Sequence, residues 1–200
     1  MNGFVIGNGE SRKGIDLSVL KRYGPVFGCN ALYRDFIPDL LMTVDQHMIN
    51  IIERDRVSEK CEVMKRVVTV SNDKTFESSR GFTITDPYHA AAGPSALFVM
   101  CDRFKSLELK NVYLIGFDIF SDTDTVNNVY KNTEGYVSSD HKPTYTRNWI
   151  VKLGRIFLSY PDITFYRVCV GDIKLIEEWN RIPNVIYTTF ELLMKKMEVR

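Results

Sequence analysis

Short apolar runs, rich in β-branched and aromatic residues, recur between longer stretches that suit helices, and no other feature of the chain constrains its fold as much. The runs cover residues 3–6, 25–29, 40–44, 66–70, 111–115 and 163–168. They lack the apolar-polar alternation of a strand with one wet face, so they are expected to be covered on both faces. Parallel β-α-β units meet that demand, whereas a sandwich or a helical bundle does not.

The intervening segments support this reading. Residues 16–23 suit a short helix and 46–56 a longer one. Over 94–107 the apolar residues Ala96, Leu97, Val99, Met100 and Phe104 fall mainly on one helical stripe. Residues 146–160 repeat the pattern with Trp149, Ile150, Leu153, Ile156 and Phe157, and Pro161 stops it. The stretch 120–144 has no apolar periodicity and is rich in Ser, Thr, Asn and Asp. It exceeds the roughly 15 residues at which a structureless connection becomes unusual, so it is either disordered or a lid over a site. Its aromatic residues Tyr130 and Tyr136 favour packing over disorder. The expected fold class is therefore α/β and Rossmann-like: a mostly parallel sheet with helices on both faces and a long lid loop, over residues 1–200 as one domain.

Composition narrows the function. With 26 Lys plus Arg against 25 Asp plus Glu, the net charge of +1 gives no general attraction to phosphate polymers or membranes. Locally, Lys142, Arg147, Lys152, Arg155 and Arg167 form a basic stretch that is either a solvated surface or a face for an anionic partner. The cysteines Cys29, Cys61, Cys101 and Cys169 contain no C-x-x-C pair, so zinc and redox dithiol sites are not indicated and a reducing compartment fits. The first residues lack a signal-peptide pattern, and no apolar stretch approaches the roughly 20 residues of a membrane span. A cytoplasmic protein is expected.

The residues suited to chemistry follow the strands, where open α/β sheets bind their ligands. The first run enters Gly7-Asn8-Gly9-Glu10-Ser11-Arg12, where glycines permit positive φ and close approach of a ligand to the backbone. Arg12 occupies the third glycine of the dinucleotide pattern, and the Gly-Lys-Ser/Thr phosphate loop is absent, so a plain tight turn is the alternative. Asn30 follows the second run, and neutral amides at Asn8 and Asn30 suit base or ribose edges. Asp45 follows the third, as a ligand for a sugar hydroxyl or as a helix N-cap. Gly93-Pro94-Ser95 opens a helix whose free N–H groups suit an anion.

Taken in order, I-G-N-G-x-S-x-K-x-I-D-x-S-x-L, F-G-C-N-A-L-Y, Gly93-Pro94-Ser95 and Val112-Tyr113-Leu114-Ile115-Gly116-Phe117-Asp118 resemble the bacterial CMP-sialic-acid-dependent sialyltransferases. They also resemble related uncharacterised phage and bacterial proteins with the same G-N-G start. The resemblance covers most of residues 3–168. It implies that Asn8, Asn30, Gly93 and Ser95 hold the nucleotide and its phosphate; Gly7, Gly9 and Ser11 of the first turn are expected in the same nucleotide-sugar site, and Asp118 is expected to support it from its strand end. It further implies a histidine general base late in the lid, at His141; His89 is the rival because it directly precedes the proposed phosphate helix, and His47 is expected on an exposed helix face. Where the family places a phosphate-binding tyrosine this chain has Phe120, and Tyr130 and Tyr136 are the candidates to replace it.

The expected activity is glycosyl transfer with inversion, from a CMP- or UDP-linked sugar to a hydroxyl acceptor, either a glycan or a hydroxymethylated base in phage DNA. No cofactor is expected to be required, although Asp118, Asp122 and Asp124 are the candidate carboxylates for a divalent metal. A homo-oligomer is compatible with the sequence. The alternatives are a nucleotide-binding protein without transferase activity and a pyrophosphokinase-like enzyme using ATP and Mg²⁺.

Overall fold

A computed structural model describes residues 1–68, 74–88, 91–120, 124–143 and 147–198. Its core is a nine-stranded sheet in the order β6-β5-β4-β3-β2-β1-β7-β8-β9. The strands are β1 (Asn2–Ile6), β2 (Val26–Cys29), β3 (Leu40–Thr43), β4 (Glu62–Val68), β5 (Lys74–Ser78), β6 (Thr83–Thr85), β7 (Asn111–Ile115), β8 (Thr164–Cys169) and β9 (Val185–Thr189). From β4 to β9 across β1 every neighbouring pair is parallel; β5 and β6 add antiparallel to one edge. The protein is thus α/β, with a mostly parallel sheet.

The apolar runs form strands because successive side chains leave a strand on opposite faces, and both faces here are packed. Val5, Phe27, Met42, Leu114 and Phe165 join one apolar cluster, while Phe4, Ile6, Val26, Leu41, Tyr113 and Val168 join the other. On the first face lie α2 (Ala92–Phe104) and α3 (Arg147–Ser159). On the second lie α1 (Gln46–Arg54), α4 (Phe190–Glu198) and the 3-10 helices Leu17–Arg22 and Asn30–Arg34. Phe4, Tyr113 and Tyr166 stack across β1, β7 and β8, with centroids 5.4 and 4.7 Å apart, and Lys196 of α4 caps the ladder 4.5 Å over Tyr166.

Some expected boundaries shift. The run expected at 66–70 is the end of a strand beginning at Glu62, and residues 69 and 70 lie outside the described residues. The expected helix at 16–23 is a 3-10 helix, capped by the Asp16 carboxylate accepting from Ser18 N–H at 2.9 Å. The helix expected over 94–107 starts at Ala92 and tightens to 3-10 geometry at Lys105–Leu107. Strands β5, β6 and β9 and helix α4 were not expected. Among the described residues no helix is long and apolar enough to cross a membrane.

Strand order places the site. From β1 the chain runs outward through β2 and β3 on one side, then returns to β7 on the other, so the order reverses between β1 and β7. The loops leaving two such strands diverge to opposite faces and open a crevice at the carboxyl edge.

Candidate functional site

A cavity of about 390 Å³ occupies that crevice, a volume in the range of small-molecule sites. Gly7, Asn8 and Gly9 beyond β1, Asn30 beyond β2, Asp45 beyond β3 and Gly116 to Phe120 beyond β7 form its floor. The start of α2 (Ala91 to Pro94), Trp149 and Leu153 of α3, and Lys131 and Tyr136 of the segment 124–143 form its walls. Eight of the residues proposed from sequence, Gly7, Asn8, Gly9, Asn30, Asp45, Gly93, Asp118 and Tyr136, therefore meet at one place.

The glycines of the first turn act differently from the expectation of positive φ. Gly9 has φ −64°, and neither Gly7 nor Gly9 adopts a left-handed conformation. Their need is close approach of the chain to itself: a Cβ on Gly7 would lie 2.4 Å from the Gly116 carbonyl oxygen, and one on Gly9 would lie 2.3 Å from the Asp118 carboxyl carbon. Gly7 and Gly9 N–H groups donate to Ile115 and Gly116 carbonyls at 2.8 and 2.9 Å, extending the β1-β7 ladder into the loops. Left-handed backbone occurs instead at Asn30 (φ 53°), Gly116 (φ 71°) and Ile119 (φ 45°) on the cavity floor. For a β-branched residue such as Ile119 this conformation is strained, and strain of that kind concentrates at binding sites.

Arg12, in place of a third glycine, is 3% exposed and ties three pieces together. It donates to Gly7 C=O at 2.8 Å, Asp35 at 2.9 Å and the Tyr130 hydroxyl at 2.6 Å, and that hydroxyl donates in turn to Asp35. Burial is the largest influence on the Tyr130 phenol, and its bond to Asp35 adds to it; both raise its pKa and keep it protonated. Tyr130 is thus a buried anchor behind the first turn, outside the cavity wall.

The segment 124–143 has no helix or strand among its residues and is held over the sheet edge at several points. Val129 N–H donates to Asn8 C=O at 2.8 Å, Glu10 N–H donates to Asn127 at 2.7 Å, and Arg54 pairs with Glu134 through both guanidinium nitrogens at 2.7 and 2.8 Å. Tyr136 closes the inner wall, its hydroxyl accepting from Asn8 Nδ2 at 3.1 Å and Ala31 N–H at 3.4 Å. Burial raises the Tyr136 pKa, so the phenol keeps a proton for which no acceptor is found among the described residues.

Several polar groups on the cavity are not fully matched by protein. Among the described residues, the carboxamide oxygens of Asn8 and Asn30 are buried with no hydrogen-bond partner; the Thr43 hydroxyl at the end of β3 is unpartnered too but lies outside the cavity lining. Unmatched buried acceptors are costly and call for a partner. Asp45 occupies the N-cap position of α1 but its side chain makes no capping bond, which leaves its exposed carboxylate on the cavity rim. At α2 the N-cap residue Ala91 has no side chain able to cap; among the described residues the first backbone bond is Ser95 N–H to Ala91 C=O, and Pro94 has no N–H. The Ala92 and Gly93 N–H groups therefore lack helical acceptors and carry the positive end of the helix dipole into the cavity wall.

The other sequence-proposed residues fall elsewhere. Ser95 is fully buried and donates to Asp86 at 2.9 Å, because its place one turn into α2 points its side chain back into the fold. Ser11 lies behind the floor, its N–H donating to Asp118 at 2.9 Å and its hydroxyl to the other carboxylate oxygen. Asp118 thus braces the first turn as well as facing the cavity. His141 is exposed beyond the rim, with Nδ1 3.1 Å from Lys142 C=O, while Val126 and Pro143 beside it do line the cavity. His47 is exposed on α1 as expected, and His89 and Asp122 lie outside the described residues. Among the described residues no group of three or more His, Cys, Asp and Glu is arranged to hold a metal ion. Arg167 does not extend the basic stretch, because it is 6% exposed and donates to Lys174 C=O at 2.5 Å.

Sequence reasoning missed Lys131, Trp149, Phe117 and Cys29 in the cavity wall. Lys131 was legible as the lone cation among the carboxylates of residues 118–140. Cys29 is a buried thiol whose pKa is pushed up to about 12 by desolvation, so it is a wall and not a nucleophile.

No family model, no curated protein and no solved structure matches the chain.

Proposed function

We propose that the protein is a nucleotide-sugar-dependent glycosyltransferase with a Rossmann-like site, binding its donor in the cavity between β1 and β7. The observation that carries this reading is the uncapped start of α2, which presents two N–H groups and a helix dipole to a cavity at the sheet's reversal point. A phosphate there accepts from Ala92 and Gly93 N–H and from the Tyr136 hydroxyl, and Asn8 and Asn30 receive donors from the rest of the ligand. Tyr136 thereby supplies the hydroxyl that Phe120 lacks. The segment 124–143 serves as the lid, released and re-formed around each ligand.

In the reaction the acceptor hydroxyl loses its proton to a base, its oxygen bonds to the anomeric carbon, and the carbon–oxygen bond to the phosphate breaks with its electron pair on the phosphate. Charge developing on that phosphate meets donors already in place. Asp45, on the rim with no capping bond, is the base the geometry favours; His141 takes this role only if 141–143 turns inward. Transfer assays distinguish them: Asp45→Asn lowers kcat 100-fold or more if Asp45 is the base, and His141→Ala does so if the histidine is. For a DNA acceptor, exposed Lys142, Arg147 and Arg155 supply the phosphate contacts, and binding weakens steeply with salt.

The first test is a thermal-shift screen of CMP, UDP, GDP and ATP, with and without Mg²⁺, read alongside Trp149 fluorescence. A nucleotide that binds the native state raises Tm by mass action. CMP or UDP stabilisation supports the proposal, stabilisation by ATP with Mg²⁺ alone favours a pyrophosphokinase, and no shift with any nucleotide refutes both.

A further inference from the structure

The cavity is chemically lopsided. Donors line it at the start of α2 and at Tyr136, whereas at the ends of β1, β2 and β3 the Asn8 and Asn30 carboxamide oxygens are buried behind the surface and the Asp45 carboxylate stands exposed on it. The charge is lopsided too. Among the described lining residues the carboxylates are Asp45 and Asp118, and the single cation, Lys131, is already paired with Glu10 at 2.9 Å. Asp118 is occupied by Ser11, so Asp45 is the charge left for a ligand to meet.

A sugar carrying its own carboxylate would meet a like charge at Asp45, with no unpaired cation among the described lining residues to receive it. A neutral hexose or an amino sugar meets the same carboxylate with hydroxyl or ammonium donors. We infer that the glycosyl group held beneath β1–β3 is a neutral or amino sugar and that carboxylate-bearing sugars are rejected there. The inference rests on the nucleotide-sugar reading and deepens it. It also separates this site from a sialic acid donor, the substrate implied by the sequence resemblance.

The test compares matched pairs by calorimetry: UDP-glucose against UDP-glucuronate, and CMP-sialic acid against its methyl ester, with UDP, CMP, methyl glucoside and free glucuronate as separate arms. In whichever pair binds, the uncharged member is expected to bind at least tenfold tighter, about 1.4 kcal/mol. Asp45→Asn is expected to narrow that ratio at least threefold, both by admitting the acid and by weakening the bond the uncharged partner makes to Asp45. Equal or tighter binding of the acid member, or a ratio unmoved by Asp45→Asn, overturns the inference; if UDP or CMP binds meanwhile, the nucleotide reading stands. If no nucleotide binds but methyl glucoside does and glucuronate does not, the inference survives and the nucleotide reading falls. Failure of every sugar and nucleotide to bind overturns both.

Discussion

Replacing Gly7 by alanine isolates how much of the first turn belongs to the fold and how much to a ligand. The new Cβ would sit 2.4 Å from Gly116 O, 3.0 Å from Gly116 C and 3.2 Å from the Phe117 ring, so backbone, not a flexible side chain, must move. Restoring ordinary contact means parting the β1 and β7 loops by roughly 1 Å. Overpacking of this kind costs about 1–3 kcal/mol, and loosening the Gly7 and Gly9 N–H bonds adds about 1 kcal/mol. The expected loss is about 2–4 kcal/mol, a fall in Tm of roughly 5–15 °C at this chain length. Urea titration without ligand measures it. Gly154→Ala is the control: its Cβ would meet Ile182 and Trp179 at 3.6 Å within α3, and it should stabilise by about 0.5–1 kcal/mol through helix propensity. A Gly7→Ala protein within about 0.5 kcal/mol of the parent, with nucleotide binding lost, would refute the packing argument and return the glycine to the ligand.

Tyr130→Phe leaves an Arg12 nitrogen and Asp35 short of a partner, and is expected to cost about 1–3 kcal/mol in urea titration and to speed proteolytic cutting within 124–143. Glu62 is buried against Arg103, with bonds of 2.8 Å to both guanidinium nitrogens that hold its carboxyl below the ordinary value of 4.5. Because the folded pKa is the lower one, this stabilisation is complete above about pH 4.5 and is lost as pH falls through the folded value. Glu62→Gln should be less stable than the parent at pH 7, and the gap should close on acidification; a gap independent of pH between 7 and 3 would contradict this. All four cysteines are buried, and desolvation pushes Cys61 up to about 11 and Cys29 to about 12, so a disulfide reagent at pH 8 should titrate no thiols quickly until denaturant is added.

Which parts of this arrangement can be read from sequence follows from where each element lies. β1, β2, β3, β7 and β8 are flanked by strands and packed on both faces, so their residues are apolar throughout and visible as runs. β5 (Lys-Thr-Phe-Glu-Ser) and β6 (Thr-Ile-Thr) lie at an edge with mostly exposed or half-buried side chains, and nothing in their composition separates them from loop. α4 did carry a signal, since Leu193 and Met197 are spaced four apart and both buried, but it is short and follows β9 without a break. In the site, residues placed by strand ends were legible, because topology alone brings Asn8, Asn30 and Asp45 to one edge. Ser95 and Tyr130 were not, because the direction of a side chain on a helix turn or long loop is set by its tertiary partners, Asp86 for Ser95 and Arg12 and Asp35 for Tyr130; nor was His141, whose ring turns to the neighbouring Lys142 C=O.

The central position of β1 also bears on how the protein comes to be made. Asn2–Ile6 pairs with Val26–Cys29 nearby on one side and with Asn111–Ile115, more than a hundred residues downstream, on the other. During synthesis the first strand therefore waits with one edge unpaired while more than half the chain emerges. Contacts of such sequence separation form slowly, and an open apolar edge invites pairing with neighbouring chains. The cavity, whose floor needs both loops, comes into being only when that wait ends, so a nascent or truncated chain lacking β7 holds no binding site at all.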